Sequence, residues 1–440
     1  MVENFAAILL SCPPRMKQAA LSKLGLRSEA PAISWLMEVA LSRPQLISLA
    51  AGFTDNESLP VADAREIIDD ILRSKKYGQP ALQYGSTAGD PMLRELTAQD
   101  FRLMDGVLDS DKAYSAERMI MSNGSQQMLY MVTEALCDEG DIVLVEDPSY
   151  FVFLGILQSR GIRGRGVRLT PDGIDLEHLA AVLEKLKRSG EIRRVKMLYL
   201  VSYYQNPTGS TTSFAKKSAA LKLLRKYEKA AGHRIYLLED AAYRELRFQG
   251  DDVKSALADR NHADRVIYAG TYSKPFATGL RVGFGILPEP VYTAVSRIKG
   301  NHDFGTSNLP QQVLARALSS GKYETHLDAL RKRYARKARV MVTAMKQYFP
   351  KEVTWWEPLG GLYYWAQLPK TLRSGVKSKL FQTAVAHDIL YVPGELCYVE
   401  DPARPRPDHE MRLSFGGSKL ENIQAGIERL GSVLKKMLKR

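Results

Sequence analysis

Residues Arg265–Leu287 read RVIYAGTYSKPFATGLRVGFGIL, and the fold turns on where the chain leaves Lys274 within them. Arg265 to Gly270 is an apolar run bounded by turn residues, the pattern of a short strand buried in a sheet. Lys274 comes just after it, between Ser273 and Pro275, ahead of small residues and Arg281. Counted among 62 Lys and Arg residues in a chain of 440, it is an ordinary solvated cation. Past the end of a strand in a parallel sheet its setting differs, because such sheets open their binding crevice at the carboxyl ends of the strands. There, partial desolvation and a neighbouring cation, here Arg281, lower the ammonium pKa and free the amine to attack a carbonyl.

The same pattern extends to both sides. From about residue 118 to 290 the short apolar runs RMIMS, DIVLVED, VKMLYLVS, RIYLLED, RVIYAG and RVGFGIL alternate with helical patterns, which predicts an α/β fold around a largely parallel sheet. Tyr323 to Phe349 reads as one long amphipathic helix, followed by a smaller unit of mixed strands and helices, from VTWWEPLGGLYYWAQLP through MRLSFGG to a closing helix. The N-terminal residues carry one helical pattern, AISWLMEVALSR, and the apolar LISLA, too little for a domain of their own. The expected organisation is an N-terminal segment (1–50) packing with the small domain, a large domain (51–322), a connecting helix (323–349) and a small C-terminal domain (350–440).

Composition narrows the function classes. At 440 residues and 45% hydrophobic content, the chain has ample material for the core of an enzyme of two or three lobes. No apolar run approaches the roughly 18 residues that span a bilayer. The opening MVENFAAILLSCPPR has an early acid and only a short apolar segment, so neither anchor nor secretion signal is expected. Cys12, Cys137 and Cys397 lie far apart with no Cys-x-x-Cys spacing, which argues against a disulfide framework or a zinc site and fits a reducing cytoplasm. The histidines form no paired helical motif, and no metal is expected. The net charge of +13 gathers in RKRYARKARV (Arg331 to Val340) and in the terminal KKMLKR. Both are helix-period segments with apolar residues on the other face, so they read as solvated helix faces, with anionic small ligands second and no specific nucleic acid.

The strand ends carry the chemistry. After RMIMS, Asn123 and Gly124 make a turn and Ser125 and Gln126 open a helix. Free backbone N–H groups there, beside a hydroxyl and an amide, suit a phosphate; an ordinary helix cap at Ser125 carries equal weight. After DIVLVED, Tyr150 stands beyond a strand end where its face can lie on a flat heteroaromatic ring, although most such tyrosines are core. After VKMLYLVS, the turn NPTG holds the Asn206 amide at the crevice. After RIYLLE, Asp240 ends an apolar strand, where a carboxylate is costly without a partner. It caps the next element or faces a cationic ring nitrogen. An amine for a Schiff base, an acid for a pyridinium, an anion pocket and a stacking ring together meet the needs of pyridoxal phosphate.

In order and spacing, from about residue 48 to the C terminus, these segments resemble the fold type I, class I/II pyridoxal-phosphate aminotransferases. The resemblance implies a large domain with a mostly parallel seven-stranded sheet sandwiched by helices, a smaller α+β domain, and a homodimer with active sites at its interface. It implies that Tyr84, in YGSTAGDPMLRE, reaches across that interface to the cofactor phosphate, which Ser125 and Gln126 of GSQQ also hold. Tyr150 of PSY becomes the stacking ring, and Asn206 of NPTG contacts the cofactor's phenolic oxygen near the substrate carboxylate. In EDAAYREL, Asp240 takes the pyridine nitrogen and Tyr243 the phenolic oxygen. Lys274 matches the Schiff-base lysine, Ser273 and Arg281 match phosphate ligands, and Thr271 stands where many relatives carry serine. Arg412, in MRLSFG, matches the arginine that grips the substrate α-carboxylate, a role that asks for a bidentate fork. A structural ion pair is its plain alternative. Gly52, in LAAGFTDNESLP, matches a position where backbone approaches substrate.

Within the family the chain is most similar to the 2-aminoadipate/kynurenine/aromatic aminotransferase subgroup. Relatives favouring a distal carboxylate tend to carry an arginine in the N-terminal helix, where this chain offers Trp35, so an apolar or aromatic side-chain pocket is expected. The implied reaction moves an amino group between an α-amino acid and a 2-oxo acid, ping-pong, through pyridoxamine phosphate. Two alternatives share the fold: a β-lyase or decarboxylase, and a cofactor-sensing module of the kind that bacterial regulators join to a winged helix. About 50 residues precede the matching region and show no helix-turn-helix pattern, which argues against the latter.

Overall fold

The computed structural model describes residues 20–439. Cys12 lies outside them, and so does the whole stretch MVENFAAILLSCPPR. The strands, in chain order, are β1 (Ile47–Ser48), β2 (Met119–Ser122), β3 (Ile142–Asp147), β4 (Arg163–Thr170), β5 (Gly173–Ile174), β6 (Val195–Val201), β7 (Tyr236–Asp240), β8 (Val266–Thr271), β9 (Gly283–Ile286), β10 (Thr354–Trp356), β11 (Tyr363–Gln367), β12 (Ile389–Leu390), β13 (Val392–Pro393) and β14 (Glu410–Ser414).

The large sheet has the order β2-β9-β8-β7-β6-β3-β4-β5. Neighbours from β8 through β4 run parallel, whereas β9 is antiparallel to both β2 and β8. The fold class is as expected, but the sheet has eight strands instead of seven, because two-residue β5 turns back antiparallel onto Leu169 and Thr170. A strand that short has no hydrophobic period to read. Its reversal needs Gly173, whose φ is +106° and where a Cβ would sit 2.4 Å from the Thr212 backbone. Strand β4, RGRGVRLT, is also absent from the apolar runs because its glycines make room for neighbours. A Cβ at Gly164 would meet Val399 at 2.1 Å, and one at Gly166 would meet the Asp147 carboxylate at 2.4 Å. Every residue of β7, β8 and β9 is buried, as expected of strands covered on both faces.

The long helix spans Lys322–Tyr348 and buries Tyr323, Leu327, Leu330, Tyr334, Ala338, Met341 and Met345 along one face. Its basic run is only partly the solvated face expected of it. Lys332, Arg336 and Arg339 are exposed, but Lys337 is 2% exposed and lies 2.6 Å from Asp55 and 2.9 Å from the Gly416 carbonyl. Arg333 turns to Asp55 and Glu57. These inward cations hold the segment after Gly52 against the helix, and a one-dimensional period does not reveal which cations point that way.

Beyond the helix a second sheet, β10-β11-β14-β13, is antiparallel throughout and sets Arg412 in β14 opposite Trp365 and Val392. β1 pairs parallel with β12, the Leu49 carbonyl accepts from Ser414 N, and the ring of Trp35, on the helix Ala32–Leu41, lies 5.8 Å from that of Phe381. The chain before Gly52 is thereby stitched to the second sheet, next to Arg412. No helix among the described residues is long and apolar enough to cross a membrane.

Candidate active site

The carboxyl ends of β6, β7 and β8 meet at one edge of the large sheet, where register aligns Val201 with Asp240 and Asp240 with Ala269. A cavity of about 200 Å³ opens there, lined by Ser125, Gln126, Tyr150, Val201, Asn206, Asp240, Ala242, Tyr243, Thr271, Ser273, Lys274, Thr278 and Arg281. Residues far apart in sequence converge because every parallel strand ends on the same side.

Lys274 donates from Nζ to the Gly52 carbonyl at 2.8 Å. Burial first, and then the charges of Arg412 and Arg281, bring its ammonium pKa down to about 8. About a tenth of the amine is therefore free at pH 7, far more than for an ordinary lysine. Asp240, 3% exposed, receives the Tyr199 hydroxyl at 2.8 Å and the Ala242 N–H at 3.2 Å. Burial pushes its carboxyl up to about 6, and both hydrogen bonds pull the other way. Its contacts are neutral donors, so its charge is left for a cation entering the cavity.

At the other end is an anion cup. Gly124, at φ +76°, precedes the helix Ser125–Leu136, whose first N–H groups have no side-chain cap. A Cβ on Gly124 would lie 2.5 Å from the Arg281 guanidinium, and one on Gly283 would lie 2.5 Å from Ser125 N, so glycine at both allows the cation, the helix start and β9 to meet. Arg281 donates to Ser273 Oγ at 3.3 Å, to the Thr278 carbonyl at 3.4 Å and to the Asn123 carbonyl at 3.4 Å, all neutral acceptors. The Thr271 hydroxyl accepts from Ser273 N at 3.1 Å, which orients that loop. A positive, preorganised cup of this kind takes a phosphate.

Arg412 is 1% exposed and makes no ion pair among the described residues: it donates to Asn206 Oδ1 at 2.7 Å and to the Ala50 carbonyl at 2.6 Å, and its buried Nε has no partner among them. Its guanidinium lies 4.4 Å from the Tyr363 ring centroid and 5.3 Å from that of Phe151. Asn206 donates in turn to the Tyr243 hydroxyl at 3.4 Å, and the Tyr243 and Tyr363 hydroxyls are 3.0 Å apart. The structural ion pair weighed for Arg412 is absent among the described residues; a buried fork with neutral partners has room for a carboxylate. At Gly52 a Cβ would fall 2.5 Å from the Tyr363 hydroxyl, so only glycine lets this carbonyl reach Lys274.

Four sequence candidates lie outside the cavity lining: Arg412 and Gly52 are bonded to its residues Asn206 and Lys274, whereas Tyr84 and Trp35 stand apart. Tyr84 is 83% exposed, its ring edge-on to Phe304 at 5.5 Å. Trp35 packs on Phe381, with its indole N–H buried and unpartnered. Four residues escaped the sequence reading: Thr278 in the lining, Tyr199 under Asp240, Tyr363 between Gly52 and Arg412, and Glu146. Glu146 is fully buried, accepts from Val201 N at 2.9 Å and Gln205 Nε2 at 3.0 Å, and is pushed by burial up to about 8. An acid inside the apolar run DIVLVED was the one available signal for it. The tyrosines look like any core aromatic in a strand.

A nucleophilic amine, a carboxylate without its cation, a phosphate cup and a carboxylate fork are complementary to pyridoxal phosphate and an amino acid substrate. Residues 44–430 match the profile for aminotransferase class I and II. The chain belongs to this family. The class I and II aminotransferases similar to it include the 2-aminoadipate transaminase of Thermus thermophilus, 32% identical over 94% of this chain and 96% of that protein. Another is aromatic-amino-acid aminotransferase 1 of Thermococcus litoralis, 30% identical over 98% of each. The kynurenine aminotransferase structure from Pyrococcus horikoshii superposes with a TM-score of 0.86 at 30% identity, covering 96% of this chain and 98% of that one. This aminotransferase is accordingly a pyridoxal-phosphate-dependent enzyme of fold type I.

Proposed function

We propose that the enzyme transfers the amino group of an α-amino acid with an apolar, aromatic or aminoadipate-like side chain to a 2-oxo acid, in two half-reactions linked by pyridoxamine phosphate. The observation that carries the reading is one cavity lined by both Lys274, an amine with a lowered pKa, and Asp240, with the Arg412 fork bonded to Asn206 of the same lining. Once bound, pyridoxal phosphate supplies an electron sink for charge developing at the substrate Cα.

Around it, each residue has one task. Asp240 would keep the ring nitrogen protonated, and Tyr199 steadies that carboxylate. Ser125, Gln126, Ser273, Arg281 and the backbone at the helix start would hold the phosphate, Thr271 orients Ser273, and Tyr150 would cover the ring face. Asn206 and Tyr243, hydrogen-bonded to each other, would hold the phenolic oxygen. Arg412 takes the substrate α-carboxylate bidentately, with Gly52 bringing backbone close to it, and thereby orients the Cα–H toward Lys274, which moves the proton. Tyr84 completes the phosphate site of a second subunit in a homodimer, a role its exposure favours. Trp35 acts at a distance, by shaping the wall that receives the substrate side chain. The buried thiols Cys137 and Cys397 suit work in a reducing cytoplasm, and the lobes fall at 51–322 and 350–440, joined by the long helix, with residues before 50 on the small lobe.

An amino acid added without any oxo acid is expected to bleach the visible absorption of the holoenzyme, and an oxo acid to restore it. A holoenzyme whose spectrum no amino acid changes would point instead to a lyase or a sensing role. Turnover of leucine, phenylalanine and kynurenine above that of aminoadipate would support the apolar pocket; a strong preference for aminoadipate would refute it.

A further inference from the structure

Behind the anion cup lies a charged network that does not line the cavity. Lys299, on the helix Val291–His302, has no exposed surface, and its Nζ is 2.9 Å from both Asp303 oxygens and 3.4 Å from Gln127 Oε1. Asp303 Oδ2 also accepts from Asn123 Nδ2 at 2.9 Å and from Gln127 Nε2 at 2.6 Å. Gln127 Oε1 accepts from Asn123 N at 2.8 Å, and its Nε2 is 3.2 Å from His302 Nδ1. The Asn123 carbonyl receives Arg281 at 3.4 Å. Asn123 is thus held at its amide N–H, its side chain and its carbonyl, and it is the residue from which the chain turns through Gly124 into the cup. The ion pair belongs to helix 291–302 and the residue after it, whereas the groups it orients belong to the start of a different helix. Burying a lysine is costly even beside a partly exposed aspartate, and cheap apolar packing would close the same contact. What the polar pairing adds is direction: three donor residues, Lys299, Asn123 and Gln127, converge on one carboxylate and set the path of a single peptide.

We propose that Lys299 and Asp303 are positioning residues for the cofactor phosphate, fixing through Asn123 and Gln127 the aim of the N–H groups at Ser125 and Gln126 and of Arg281. The proposal rests on the cofactor reading above. An anion site of preset dipoles loses affinity when its donors must be reordered at binding, so the effect is on the phosphate and not on the aldehyde-bearing ring.

The test compares the apoproteins of the wild type, Lys299→Met, Asp303→Asn and Asn123→Ala, each titrated with pyridoxal phosphate and with pyridoxal, which lacks the phosphate. The expected result is a dissociation constant for pyridoxal phosphate raised about tenfold or more in the two ion-pair variants and less in Asn123→Ala, with that for pyridoxal changed less than about twofold. Inorganic phosphate should also compete less well in the variants. Equal weakening of both ligands, or an unchanged affinity for pyridoxal phosphate, would overturn the proposal. Asn123→Ala leaves the ion pair in place, so it decides the matter if the buried variants fail to fold: no loss of phosphate selectivity there refutes the relay. A wild-type apoprotein that takes up no pyridoxal phosphate would overturn the cofactor reading itself, an outcome separate from any difference among variants.

Discussion

Tyr199→Phe removes one buried hydroxyl, outside the cavity lining, that bears on the charge of Asp240. The hydroxyl donates to Asp240 Oδ2 at 2.8 Å inside the sheet, where the carboxyl sits at about 6 because burial raises it and this bond lowers it. A hydrogen bond to a charged group contributes about 1.5–3 kcal/mol, and one pH unit corresponds to about 1.4 kcal/mol. Losing it therefore lifts the Asp240 pKa by about one to two pH units, to about 7 or 8. The sign follows from which form binds the pyridinium. Ionised Asp240 attracts it, so affinity for pyridoxal phosphate falls as pH drops through the Asp240 pKa. In the wild type that decline starts near pH 6; in Tyr199→Phe it starts about one to two units higher, while the two proteins converge at alkaline pH. The assay is cofactor affinity of the apoprotein against pH, followed by absorbance. Superimposable profiles for the two proteins would show that Tyr199 does not set the charge of Asp240, and the reasoning would fail.

Other expectations are simpler. Arg412→Lys keeps the charge but loses the fork, so KM for the amino donor should rise about tenfold to a hundredfold while affinity for pyridoxal phosphate stays within about twofold; comparing the two by kinetics and titration checks it. Glu146→Gln tests a stability effect. The carboxyl is raised from 4.5 to about 8, so between those values the native state holds a proton the unfolded chain has released, and Glu146 makes stability fall as pH rises through that window. The glutamine variant keeps an acceptor for Val201 N and should lose less stability between mildly acidic and alkaline pH, measured by denaturant unfolding of the apoprotein; an unchanged slope would refute a proton on Glu146.

Much of this was legible in one dimension because parallel strands advertise themselves twice. Their apolar runs mark where they lie, and the residue after each run marks where the crevice opens; Asp240, Asn206, Tyr150, Ser125 and Lys274 all sit at such positions, and all line one cavity. The family resemblance added Arg412 and Gly52, which no local pattern singles out. Strand β4 went unread because glycines that accommodate Val399 and Asp147 interrupt its apolar period, and β5 because two residues carry none.

Residue types and their order along the chain were enough to determine the alternating architecture, the identity of the chemical groups and the cofactor they call for. Only the tertiary structure decided which partner each group has. Arg412 could have met an acid and does not; Lys337 could have faced water and instead holds Asp55; Tyr199 and Tyr363 read as core and are bound to the site. The reason is physical: strand and helix periods are local properties of the chain, whereas the charge state of a buried group depends on distances of a few ångströms between segments brought together by packing.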